Sequence, residues 1–296
     1  MRRLKLCLSC CFLVITTGML SSAQLTLDCA HLQPLIDQAA SRSALVLPAG
    51  TCSVNLVITK SITLRGAGAN KTFLKGALPG KPVLYIENNQ QIIEVLVESL
   101  SLNDAPKLSA EKDCAIFYPE LICPSGFEVR GKAHAVLRNA TISGNAWVGV
   151  YVLDSSRALV QETDISNNGW GVYLASDAQV TIENSRVQNN KQVGIEAWAS
   201  VIVKNTRVSK NNDGIKLVLE SAQILNNTIS ENASHGLLVT GSANAEIRAN
   251  EVTQNGGWGI TAWLRDCGFN NNSFSGQLTT IDNKVSGNKL GQVCLP

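Results

Sequence analysis

The sequence is poor in charge. Only 16% of its 296 residues are Asp, Glu, Lys or Arg, and the net charge is +2. No block of Lys or Arg concentrates that charge, which excludes the basic footprint of a nucleic-acid binder. Histidine (3), methionine (2) and phenylalanine (6) are scarce. Three histidines, and no CxxC among the cysteines beyond residue 23, leave too little for a zinc site. Past residue 20 there is no apolar run long enough to cross a bilayer as a helix. The apolar fraction is nevertheless 45%, which excludes a disordered chain. Glycine is plentiful (23), as are Asn, Ser and Val, and that combination suits short strands joined by many turns.

The first 23 residues read as a secretory leader. Arg2, Arg3 and Lys5 precede an apolar run from Leu6 to Leu20, and Ser21-Ser22-Ala23 supplies small residues for cleavage before Gln24. The expected product is an exported chain, periplasmic or extracellular, with no membrane attachment after cleavage. Three of the nine cysteines leave with the leader, so six remain. An even number in an exported chain implies disulfides, and proximity favours Cys29–Cys52, Cys114–Cys123 and Cys267–Cys294 among the fifteen pairings that six cysteines allow.

From residue 126 the chain repeats itself. A glycine followed by an apolar residue recurs at Gly126, Gly149, Gly171, Gly194, Gly214, Gly236 and Gly259, at intervals of 20 to 23 residues, and Gly291, followed by Gln292, comes 32 residues later. In the same phase runs a second marker, Ile or Val followed by two residues and then Asn: ISGN at 142, ISNN at 165, VQNN at 187, VSKN at 208, ISEN at 229, VTQN at 252 and VSGN at 285. Between them lies a third apolar cluster, such as Val180-Thr181-Ile182. Three short strands per period of about 22 residues, separated by Asn and Gly turns, predict an all-β solenoid whose coils stack and bury one inner column. Val150, Val172, Ile195, Ile215, Leu237 and Ile260 are predicted to point inward. Asn232 and four other NxS/T sequons fall mostly on the repeat turns and so say little about glycosylation.

These coils resemble the pectin-lyase-like superfamily of right-handed parallel β-helices, especially its right-handed β-helix repeat members. The stretch LPAGTCSVNLVITKSITLRGAGANKTFLKG (47–76) resembles the opening coils of exported members. The resemblance covers residues 28–296 and implies a single β-helix domain over 24–296, with cap and opening coils to 125 and regular coils from 126. It implies fold far more than activity, since members include lyases, hydrolases, esterases and epimerases. Ahead of the coils, Asp28 followed by Leu32, Leu35, Ile36 and Ala39 predicts a helix over 30–41 that caps the open end.

In related enzymes the strand after the repeat glycine, with its bordering turns, forms the polysaccharide groove. Alternation places Glu128, Tyr151, Tyr173, Glu196 and Lys216 on the outer side of that strand, with Trp198 and Trp263 two residues further on and Trp170, Asp213, His235 and Trp258 at the preceding turn. Tyr151, Tyr173, Trp170, Trp198, Trp258 and Trp263 are the candidate sugar-stacking rings, with packing beneath loops as the alternative for the tryptophans. Asp213, His235, Glu196 and Lys216 are the candidate catalytic groups. NNDG (211–214) and SHG (234–236) superficially resemble the acid and histidine motifs of polygalacturonases, whose second carboxylate pair is missing here. Glu128 and Glu196 are three coils apart, roughly 14 Å at about 4.8 Å per coil, too far for paired glycosidase carboxylates. Glu196 and Lys216 are more simply a cross-coil ion pair. Calcium chemistry needs several convergent acids, and this face has too few, so no cofactor or metal is expected. The leading expectation is an exported, monomeric protein that binds a polysaccharide or cell-surface glycan. The alternatives are a polysaccharide lyase or glycoside hydrolase, and a purely structural or adhesion solenoid.

Overall fold

The computed structural model describes residues 27–107 and 124–296. The predicted leader and the predicted Cys114–Cys123 pair lie outside the described residues. One coil is built from Val148–Val152, Arg157–Gln161 and Asp164–Ser166, and the next from Trp170–Leu174, Gln179–Glu183 and Arg186–Gln188. Every described pairing is parallel and joins a strand to its counterpart one coil on, as in Val150↔Val172, Ala158↔Val180 and Ile165↔Val187. The molecule is therefore a parallel β-helix with three faces, named here first, second and third in that order. The third is a ten-stranded sheet. The first two merge into one sheet of 18 strands, because Leu84–Glu98 and Ser125–Arg138 run across both faces unbroken.

Residues of period two fill the interior. Val150, Val172, Ile195, Ile215 and Leu237 are all 0% exposed, and Ile260 is 1% exposed, as the alternation predicts. The second face adds Val160, Ile182 and Val203, and the third adds Ile165 and Val187, so one apolar column runs through the coils. Each such side chain contributes about 1.5–3 kcal/mol by leaving water.

The turn marker divides into two jobs. In ISNN, Asn167 takes the left-handed conformation (φ 59°) that lets the chain leave the third strand. Asn168 turns inward and forms a ladder. Its backbone N–H and Nδ2 both donate to Oδ1 of Asn190, at 3.0 and 3.1 Å, while Nδ2 also reaches Ile142 O at 3.1 Å. The same contacts repeat through Asn145, Asn211, Asn232 and Asn255. At the last rung, Asn288 donates instead to Oε1 of Gln292, which stands in for a further asparagine. Asn232, a sequon residue, is 1% exposed within this ladder, so the folded chain does not offer it to a glycosyltransferase.

The repeat glycine belongs to the same device. A Cβ at Gly149 would sit 2.8 Å from Nδ2 of Asn168 and 2.7 Å from the carbonyl oxygen of Gly171. The two sequence markers keep one phase because each asparagine passes over a backbone that has no room for a side chain.

At the N-terminal end, Asp28 caps a 3-10 turn at Cys29–His31 that leads into an α-helix at Leu32–Gln38, which ends three residues earlier than predicted. Leu32 and Ile36 cover the first coils, but Leu35 is 49% exposed rather than part of that apolar face. Lys60 Nζ bonds the terminal carbonyls of Asp37 and Ala39 and closes the helix. Cys29–Cys52 and Cys267–Cys294 are disulfides with Cα atoms 5.2 and 5.7 Å apart. No described helix is long and apolar enough to cross a membrane.

Candidate functional site

The outer side of the first face carries a single register column: Tyr85, Glu128, Tyr151, Tyr173, Glu196 and Lys216 occupy equivalent positions on successive coils. Sequence reasoning missed Tyr85, because the glycine phase is lost before Gly126. The alternation in Val83-Leu84-Tyr85-Ile86 was the available signal. The column is not the solvated platform that the sequence suggests. Tyr151 and Tyr173 are 1% and 2% exposed, and Glu128 is 0% exposed. Val218 and Leu238 are likewise buried. The expectation that Tyr151 and Tyr173 present open stacking rings is thus corrected. Alternation identifies the side of a sheet that a residue takes, but not what lies over it. Here Trp147, Trp170 and Trp198 pack against a second apolar cluster of Val148, Tyr151, Leu153 and Tyr173.

Beneath the indoles the polar groups are matched. Glu128 accepts from Arg130 Nε at 2.7 Å and from Ser125 Oγ at 2.8 Å, and Arg130 lies over the Tyr151 ring, 5.7 Å from its centroid. Tyr151 and Tyr173 meet edge to face at 5.5 Å. Burial, followed by the Glu128 charge, pushes the Tyr151 phenol up to about 12, with Arg130 opposing. Burial and Glu196 push Tyr173 up too. Both phenols therefore stay protonated at neutral pH.

Glu196 holds the surface above this layer in place. It is 5% exposed and accepts from three sources: Trp170 Nε1 at 3.1 Å, Trp198 Nε1 at 3.1 Å and Lys216 Nζ at 3.0 Å. The cross-coil ion pair expected between Glu196 and Lys216 is present. Trp147 adds a third indole, tilted against Trp170 with centroids 5.0 Å apart, and its own Nε1 is buried without a partner in the structure described. The result is a ridge of three half-buried indoles from neighbouring coils, ending at a partly exposed ammonium group.

The other tryptophans are engaged elsewhere. Trp258 donates to the carbonyl of Cys267 at 2.9 Å, while Trp263 stacks on Phe269 at 4.5 Å and donates to Asn271. Both pack against the segment 264–276, the alternative weighed from the sequence. Phe269 also approaches the His235 ring, 5.5 Å between centroids, so this segment crosses the outer side of the first face.

Asp213 and His235 lie one coil apart but meet through the backbone. Oδ1 of Asp213 accepts the N–H of His235 at 2.9 Å, and Nδ1 of His235 accepts the N–H of Trp258 at 3.0 Å. An Nδ1 that accepts an N–H carries no proton. The fold therefore holds a neutral ring, and burial lowers the pKa with Asp213 only partly opposing. Lys216 and Glu196 meet each other, whereas Asp213 and His235 support turns. The four catalytic candidates do not converge on one point. Among the described residues no three His, Cys, Asp or Glu side chains are grouped to hold a metal ion.

A family model described as "right handed beta helix region" matches residues 125–276, just over half of the chain. The chain belongs to the right-handed β-helix family. Solved structures similar to this β-helix include an alginate lyase from Paenibacillus sp. str. FPU-7, at 16% identity and TM-score 0.59, covering 90% of this chain and 98% of that one. Pectate lyase Pel9A matches at 10% identity and TM-score 0.58, covering 86% and 73%. The mannuronan C-5 epimerase AlgE4 A-module of Azotobacter vinelandii matches at 16% identity and TM-score 0.50, covering 91% and 94%. No curated protein matches the sequence. At these identities the likeness is one of fold, and the resemblance read from the repeats is confirmed at that level.

Proposed function

We propose that this β-helix protein is exported and binds a carbohydrate chain across the Trp147–Trp170–Trp198 ridge, with Lys216 favouring acidic sugars. One observation carries the reading. Three partly exposed indoles from neighbouring coils stand side by side, and two of them are fixed by the same buried carboxylate. Rings held in this way offer flat, apolar area at low entropic cost, which is what a sugar face stacks on. The tyrosines below act as their support. The structurally similar proteins named for alginate, pectate and mannuronan support an acidic polysaccharide as the partner class. The two disulfides support an oxidising destination.

The test is titration of intrinsic tryptophan fluorescence with alginate, polygalacturonate and a neutral glucan, alongside an assay for released product. Trp198→Ala and Trp170→Ala should each weaken binding at least fivefold while leaving the melting temperature within a few degrees. Binding that survives both changes sinks the reading. A second reading, a lyase or hydrolase, draws on Lys216, whose partly exposed ammonium group stands at the end of the ridge. Product release abolished by Lys216→Ala would establish it.

A further inference from the structure

The second face has its own open surface. A groove of about 980 Å³ runs across the coils on the outer side of that sheet. Its floor is another register column, in which Thr63, Leu96, Val136, Leu159, Thr181 and Ile202 succeed one another coil by coil. All six are only partly buried, and four are aliphatic, although the core lies on the opposite side of the strands. One rim is equally regular: Glu94, His134, Arg157, Gln179 and Ser200 follow in step.

Charge is distributed unevenly along it. The charged lining is Arg42 and Arg157 against Glu94, two positive charges to one negative, and Arg65, Glu98 and Arg138 form a further column just beyond the floor. Glu98 is clamped by Arg65 and Arg138. Burial alone would raise its pKa, but the two arginines outweigh that and hold it low. Arg42 and Arg157 remain exposed at the rim. Further along the groove that rim turns to neutral donors and acceptors, Gln179, Ser200 and Ser221, and the floor column continues from Ile202 to Gln223.

We infer that this groove is a second binding surface, separate from the tryptophan ridge, and that its occupant is an extended carboxylated glycan. Three features select that occupant. The floor is the face of a sheet whose backbone groups are already paired, so a peptide cannot bind by strand addition. An extended peptide along the axis would advance about 3.3 Å per residue, out of step with rungs about 4.8 Å apart. A chain of pyranose rings advances by close to one rung per ring and can present each ring to the same set of positions. The excess arginines match carboxylates, which guanidinium groups bind in paired fashion. The aliphatic floor faces the sugar C–H surfaces.

The groove can be read without using tryptophan fluorescence. An environment-sensitive dye on Gln179→Cys, at the rim, would be titrated with polygalacturonate, alginate, neutral dextran and poly-L-glutamate. The expected result is a saturable response to at least one polyuronate that weakens as salt rises, with little response to dextran or poly-L-glutamate. In the dye-labelled protein, Arg157→Gln and Ile202→Glu should each reduce that affinity at least fivefold, and Trp198→Ala should leave it unchanged. Since Ile202→Glu alters a partly buried position, its melting curve is compared with that of Arg157→Gln, which touches only the exposed rim. No saturable response to either polyuronate overturns the inference, as does an equal response to poly-L-glutamate. A response lost with Trp198→Ala but not with Arg157→Gln also overturns it, and would return binding to the ridge alone.

Discussion

Asp213 accepts the backbone N–H of His235 through Oδ1 at 2.9 Å. The side chain of one turn thereby satisfies the main chain of the turn above it, the role that asparagine plays throughout the ladder. Asp213→Asn keeps an acceptor and is expected to be neutral. Asp213→Ala should cost about 0.5–1.5 kcal/mol, the usual net value of one hydrogen bond. Urea unfolding measures this, and neither variant should change glycan affinity. Lost affinity or turnover at unchanged stability would mean that Asp213 meets the sugar itself.

His235 makes the matching contact to Trp258 and is held neutral. Its folded pKa lies below the unfolded value of about 6.5, so its contribution is complete above that pH and is lost as pH falls from there toward the folded pKa. His235→Asn retains an acceptor but does not titrate. The variant should therefore show a flatter decline in stability below about pH 6.5 than the parent protein. Parallel slopes in the two urea-midpoint profiles would refute this.

Glu196→Ala should leave two indole N–H groups and the Lys216 ammonium without their shared acceptor. The expected loss is about 1–3 kcal/mol, together with weaker glycan binding as the rings loosen. Glu196→Gln, which can still accept through one oxygen, should lie between Ala and the parent in both respects. If Glu196→Ala alters stability but not affinity, the ridge is not the binding surface.

The ladder should be unforgiving. Asn211, itself 2% exposed, receives two donors from Asn190 and gives Nδ2 to both Val187 O and Asn232 Oδ1. Asn211→Ala strands buried groups on both neighbouring coils, at about 1–3 kcal/mol for each one left unsatisfied. Asn212→Ala, next along the chain and exposed, should cost less than about 0.5 kcal/mol. Comparable midpoints for the two variants would refute the ladder's energetic role.

Much of this was legible in the residues. Ile165 and Val187, each followed by a turn residue and a ladder asparagine, announce strand, turn and coil period together, because inside packing and turn chemistry both recur every 22 or so positions. The disulfide pairing of Cys29 and Cys52 followed from proximity. Tyr151 shows where such reading stops. Its place on the outer side of a strand was correct, yet its burial depends on Trp170 and Trp198, which come from other coils. Likewise Thr181 and Ile202 looked like ordinary strand residues. Only the assembled sheet shows that they floor an open groove, since an unfilled outer face leaves no mark in local periodicity.

The link between Asn288 and Gln292 bears on how such a molecule gains or loses length. Every interior rung takes in the same bonds that it hands on, so a duplicated stretch of one period would find matching neighbours on both sides. Gene segments of that size can then be copied or deleted without designing a new interface. Gln292 behaves like a chain terminator in polymer chemistry: it consumes the donors of the last unit from its own strand and passes nothing forward. The copy number of the repeat can therefore vary, while one residue, four positions beyond Asn288, closes the asparagine ladder.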